Sequence, residues 1–143
     1  MASRDLHNNI HVVTGIAPAA AVADNTAFVS AIVDTKGFES VEFVILTGAL
    51  ADVDATFTVL VEDGSAANLS DAAAVADTFL LGTEAQAGFT FADDNKVRKI
   101  GYVGGKRYAR VTVTPASNSG NAFVAGVWLL GHPKNAPTAN PPA

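Results

Sequence analysis

Short apolar runs of strand length, each closed by a turn signal, follow one another through most of the chain, and no long amphipathic helix stands between them. This succession constrains the fold more than any other feature. Ile10 to Ile16 (IHVVTGI) begins it. Phe28 to Val33 reads as the next strand, with Phe28 and Ile32 on one side and Val29 and Val33 on the other. Lys36-Gly37 marks a turn into Val41 to Thr47 (VEFVILT), whose apolar residues fall on both faces, as expected of a strand central in its sheet. Thr56 to Asp63 alternates, with Phe57, Val59 and Val61 in one row and Asp63-Gly64-Ser65 as a turn. Thr78 to Leu81 is a short strand, and Phe89 and Phe91 lead into the turn-like Asp93-Asp94-Asn95. Ala122 to Leu130 is a buried-type strand that holds Trp128 as a core residue. Ala66 to Ala76 is the one expected helical piece, with Ser70 as the cap of a short turn. Roughly eight strands about 10–15 residues apart indicate an all-β antiparallel β-sandwich, jelly-roll-like, with a partly open barrel as the alternative.

Residues 96–114 (KVRKIGYVGGKRYARVTVT) concentrate the basic charge. Gly104-Gly105 suits a two-residue hairpin turn, since both residues can take positive φ. That turn would set Tyr102 opposite Arg107, Gly101 opposite Tyr108 and Lys99 opposite Arg110. Tyr108 would then cover the glycine gap at Gly101. Ile100, Tyr102, Ala109, Val111 and Val113 would share one face, with Arg98 and Arg107 at its ends. The like-charge pair Lys99 and Arg110 would cost stability unless acids lie beside it, so acidic neighbours are expected.

All fourteen acidic residues lie at or before Asp94, whereas seven of the nine basic residues follow it. Residues 1–95 thus carry −12 and residues 96–143 carry +7, within a net charge of −5. Either acidic strands pack beside the basic segment within one domain, or the asymmetry also serves docking between copies or onto another protein. An acidic protein whose basic residues sit in one segment, without a row of aromatics, is not expected to bind nucleic acid. With 143 residues and 49% apolar content the chain reads as one folded domain. It has no cysteine, so disulfides and thiolate metal sites are excluded. MASRDLHNNI lacks the apolar core of a signal peptide, and no run approaches the roughly 18–20 residues of a membrane span, so no membrane partner is expected. Residues 1–9 read as a polar arm, 10–131 as the sandwich and 132–143 as a Pro-rich tail.

Chemical constellations are sparse. His7 and His11 have metal-ligand spacing only on a helix, which Asn8 and Asn9 disfavour. Asp52/Asp54 and Asp93/Asp94 lack the ligand pattern of an EF-hand and read as solvated turns. No serine sits in a nucleophile elbow, and strand rather than helix follows Gly101, Gly104 and Gly105, so no phosphate loop is expected. No cofactor and no enzymatic activity are expected.

Four segments carry a resemblance: RDLHNNI (Arg4–Ile10), KGFESVEFVI (Lys36–Ile45), KVRKIGYVGGKRYARV (Lys96–Val111) and GVWLLGHP (Gly126–Pro133). In that order they resemble a family of small tailed-bacteriophage virion proteins encoded beside the major capsid protein. The resemblance spans almost the whole chain, although the Ala-rich segment 66–76 is longer than that pattern and the tail past Pro133 varies. It implies a structural protein of the virion, made in the host bacterial cytoplasm. The role it implies is a decoration (cement) protein on the capsid surface, with the major capsid protein as partner. The flexible ends and the split charge point to a homo-oligomer, and the resemblance implies a trimer by preference. The residues expected at such interfaces are Arg4, Asp5, Lys99, Lys106, Arg107, Tyr108, Arg110, His132 and Pro133. A carbohydrate- or receptor-binding β-sandwich on the virion surface is the competing class; sugar sites present exposed Trp or Tyr, and Trp128 reads as core.

Overall fold

The computed structural model describes residues 2–142. Its strands are β1 (Ile10–Ile16), β2 (Phe28–Val29), β3 (Val33–Asp34), β4 (Phe38–Leu50), β5 (Thr56–Gly64), β6 (Ala73–Ala74) and β7 (Leu80–Leu81). After the one-turn helix α1 (Glu84–Ala87) come β8 (Phe89–Thr90), β9 (Val97–Tyr102), β10 (Tyr108–Ala116) and β11 (Ala122–Pro133). One sheet has the order β1-β11-β4-β9-β7. The other runs β2-β10-β5-β6, with β3 also on β10 and β8 also on β5. All pairings are antiparallel. The chain passes repeatedly from one sheet to the other, and the first and last strands pair. That is the connectivity of a jelly-roll β-sandwich.

The period of two decides what each strand buries. Val41, Phe43, Ile45 and Thr47 of β4 point inward, as do Phe57, Val59 and Val61 of β5 and Val124, Trp128 and Leu130 of β11. Phe43 and Trp128 meet edge to face at 4.6 Å, and Phe57 stacks on Phe89 at 4.6 Å. Such aromatic pairs contribute roughly 0.5–1.5 kcal/mol beyond area burial. The Trp128 indole N–H donates to Ala31 O at 3.1 Å, satisfying its polar atom inside the core. The Phe43 ring lies across Gly126 on neighbouring β11 and Gly15 on β1 beyond it, and a Cβ at either glycine would overlap it. These are the glycine gaps an aromatic fills here. Gly101 lies instead opposite Glu42 and Leu81, and Tyr108 opposite Gly64 and Asp34.

The Gly104-Gly105 hairpin does not form. β9 pairs with β4 and β7, β10 pairs with β5, β2 and β3, and residues 103–107 arch between the sheets. The arch wraps the Tyr102 phenol. Its hydroxyl donates to Asp63 Oδ2 at 2.7 Å and accepts from Lys106 N at 3.1 Å, and its ring fills the space where Gly104 would carry a Cβ. Ile100, Tyr102, Ala109, Val111 and Val113 are all buried, but from opposite sides of the core. Lys99 therefore faces Val44, and Arg110 faces Glu62.

Three further elements differ from the sequence reading. The stretch 28–33 is two short strands, because Ser30 breaks it: its hydroxyl accepts from Val111 N at 2.9 Å and donates to Ala31 O at 2.9 Å. The interruption turns both Phe28 and Val33 into the core. Residues 66–76 contain turns and β6 rather than helix. The α-helix is α1, where Thr83 and Gln86 form a reciprocal capping box. β11 continues to Pro133, which sits at the strand end opposite Phe38. Beyond it the tail folds back on its own chain: Thr138 donates its N–H to Asn8 O at 3.0 Å and its hydroxyl to Ile10 O.

Candidate functional site

The two outer sheet faces differ in character. On the second sheet, β5 presents Thr56, Thr58, Leu60 and Glu62, and β10 presents Tyr108, Arg110, Thr112 and Thr114. That surface is suited to water. On the first sheet the outward row through Glu42 reads Val12, Leu129, Glu42, Gly101 and Leu81. The next row reads Thr14, Val127, Val44 and Lys99, followed by Ala125, Leu46 and Val97. Leu46, Leu81 and Val97 are each more than half exposed, at 52%, 57% and 58%. Thr14, Glu42 and Lys99 are the polar members of an otherwise apolar outer face.

At one end of this face lies a groove of about 650 Å³. Arg4, Asp5, Leu6, Asn9 and Ile10 form one wall, with Leu129, Gly131 and His132 beside them. Glu39 to Glu42 form the floor, and Leu81, Tyr102 and Val103 the far wall. Asp5 fixes the first wall by accepting from Asn8 N at 3.0 Å and Asn8 Nδ2 at 2.7 Å, contacts that hold its carboxyl below the usual range. His132 has a positive φ of 50° and shares a 2.6 Å hydrogen bond between its Nδ1 and Ser40 Oγ. Burial raises the Glu42 carboxyl above its usual value, and Lys99 nearby partly offsets this. Asp5, Glu39 and Glu42 outnumber Arg4 here, so the groove favours a partly apolar occupant with a cationic group.

Of the expected interface residues, Arg4, Asp5 and His132 converge on this groove, and Lys99 lies on the adjoining apolar face. Pro133 ends β11 opposite Phe38. The remaining four belong to the arch and the second sheet, where they have partners within the chain. Arg107 makes two bonds to Asp34, at 2.6 and 2.8 Å, and covers the Tyr108 ring at 5.0 Å. Its guanidinium holds the Asp34 carboxyl below the usual range. Arg110 reaches Glu62 at 2.7 Å. Lys106 Nζ lies 3.4 Å from Ser65 Oγ. A further pair, Arg98 to Asp93 at 2.6 Å, ties β9 to the turn before it. The expected acidic neighbours are thus present, and they come from the chain itself.

Glu39, Glu42, Leu46, Leu81, Val97 and Val127 were not singled out by sequence. A signal existed, in that Val41 to Thr47 is apolar on both faces. Read alone, it suggested a strand central in its sheet, and β4 does lie between β11 and β9, with one of its two faces open. Among the described residues, no three His, Cys, Asp or Glu side chains gather to hold a metal. His7 contacts Asn140 at 3.3 Å, and His11 stacks on Phe38.

The site therefore defines a jelly-roll β-sandwich with one apolar outer face and an acidic groove. No family model and no curated protein matches the chain. Among solved structures it is similar to dimeric latent PorU from Porphyromonas gingivalis (TM-score 0.45, 6% identity, 93% of this chain and 13% of that one). It is similar to the CBM22-1–GH10 modules of xylanase 10B from Clostridium thermocellum, complexed with xylohexaose (TM-score 0.41, 10% identity, 94% and 28%). A third is the xylan-binding module CBM15 (TM-score 0.43, 9% identity, 92% and 96%). The chain spans less than a third of the length of each of the first two. With TM-scores below 0.5, these likenesses carry no argument about what this chain binds.

Proposed function

We propose that this chain is a structural protein of a tailed-bacteriophage virion, a non-catalytic decoration protein that binds the outside of the head through the major capsid protein and stabilises the shell. One observation carries this reading. The four segments that resemble the phage family lie far apart in sequence, and every residue lining the groove except Leu81 belongs to one of them. The fold brings the four segments to one surface by setting the first, last and central strands side by side in one sheet. The groove and its rim, with Arg4, Asp5 and His132, are the proposed capsid contact.

The test uses purified particles lacking the protein. Added native protein should co-sediment with them and raise their disassembly temperature. Glu39→Lys combined with His132→Ala reverses an exposed charge of the acidic groove and should lower occupancy at least ten-fold without changing the melting of the free protein. A native protein that stays in the supernatant removes the reading. Carbohydrate or receptor binding remains the competing reading, since the groove volume suits a small ligand. Against it, Trp128 is core and the Tyr102 ring is buried, so neither offers the groove an aromatic platform. Retention on immobilised host glycans would favour it.

A further inference from the structure

The apolar face beside the groove has a polar pattern that matches itself. Glu42 on β4 lies opposite Gly101, and Lys99 on β9 lies opposite Val44. The two side chains therefore sit on neighbouring strands, two residues apart, roughly 8 Å from each other by strand geometry. Neither makes an ion pair among the described residues. Around them the surface is Leu46, Val97, Val127 and Leu81. One acid and one base on a single face have a simple geometric consequence. A two-fold axis in the plane of the face, at right angles to the line joining them, exchanges their positions. Two copies stacked about that axis place each acid over the other copy's base, and lay apolar rows on apolar rows.

We infer that the occupant of this face is a second copy of the chain, packed face to face so that Glu42 of each copy meets Lys99 of the other. A second copy presents the required charges at the required spacing. This rests on the proposed function only in taking the face as an assembly surface; pairing competes with the capsid for Glu42 and Leu81 of the groove, and it differs from the threefold arrangement that the phage resemblance implies. Five strands and about six residues of each give a flat area of roughly 400 Å² per copy. That is below the ~800 Å² per partner of a standard interface, so the pair is expected to be weak and concentration-dependent.

The experiment measures mass in solution by sedimentation equilibrium across concentration, using the full chain. The native protein should pass from monomer to dimer as concentration rises. Glu42→Lys and Lys99→Glu, each alone, set like charges against each other and should weaken association at least ten-fold. An equimolar mixture of the two variants should recover a dimer, now between unlike copies. A charge effect within one chain would not produce that recovery. Leu46→Asp should also abolish pairing, with circular dichroism confirming the fold of each variant. A native protein monomeric up to about 500 µM, a trimer, single variants that pair like the parent, or a mixture that stays monomeric would each overturn the inference. Particle co-sedimentation separates the two readings: pairing without binding removes the decoration role and leaves the dimer, and binding without pairing does the reverse.

Discussion

Arg110→Glu tests whether the basic strand is held by acids of its own chain. Arg110 and Glu62 are directly opposite on β10 and β5, with Nη2 at 2.7 Å and Nε at 3.2 Å from Glu62 Oε2. Their side chains are 29% and 20% exposed, so solvent screens the pair only partly. Losing a charge-assisted contact of this kind costs about 1 kcal/mol. Two carboxylates facing across neighbouring strands add a repulsion of roughly 0.5–1 kcal/mol. The total is ~2 kcal/mol, and at about 3 °C per kcal/mol for a domain of this length the melting temperature should fall by about 6 °C. Arg110→Met keeps the packing of the stem and should lose about half as much. The swap Arg110→Glu with Glu62→Arg should recover most of the loss. Calorimetric melting at low and high salt is the assay, and salt should narrow the difference for the single variant. If Arg110→Glu melts within about 1 °C of the parent, or the swap recovers nothing, the pair does not stabilise the sheet and the reasoning fails.

Gly126→Ala drives a Cβ into the buried Phe43 ring and should cost roughly 2–3 kcal/mol in thermal unfolding; Gly105→Ala, where the added Cβ meets open space, should melt like the parent. Tyr102→Phe leaves Asp63 and the Lys106 N–H without their partner and should cost about 1–2 kcal/mol. Burial and Asp63 raise the phenol above its usual value of 10.0. Its contribution is therefore complete below about pH 10 and lost as pH rises through the folded value, so the variant should flatten the alkaline limb of the stability profile. Deleting residues 134–143 removes the Thr138 contacts to Asn8 and Ile10; protection of the amides around residues 7–10 should fall in hydrogen exchange while the sandwich strands keep theirs.

Local pattern and tertiary arrangement divide this protein clearly. In 41–47 and 122–130 apolar residues on both faces left the buried side undecided, whereas the period of two in 56–63 determined which side chains are buried, because alternation along a strand is a local property. The same holds within 96–114, where the five apolar residues assigned to one face, Ile100, Tyr102, Ala109, Val111 and Val113, are buried although the expected hairpin is absent, and Arg107 at the end of that face is exposed. Pairing was not legible there, because an apolar face suits a hairpin in one sheet and an arch between two equally well. Only the global closure of the sandwich, with β4 and β5 already beside β9 and β10, chose the arch. Turn chemistry was misleading for a related reason: Gly104 is placed by the Tyr102 ring, a contact its neighbours in sequence do not reveal as structural. The T-x-x-Q pattern at Thr83–Gln86 did encode the short helix, and the Ala-rich stretch outweighed it only because propensity ignores packing. The separation of charge showed that acids would neighbour the basic segment, since electrostatic balance follows from composition. Which acid meets which base depended on register. The groove belongs wholly to tertiary structure. Residues 4–10, 39–42, 102–103 and 129–132 form one surface because the first, last and central strands lie side by side in one sheet, and strand order is set by closing a core rather than by anything written within a strand.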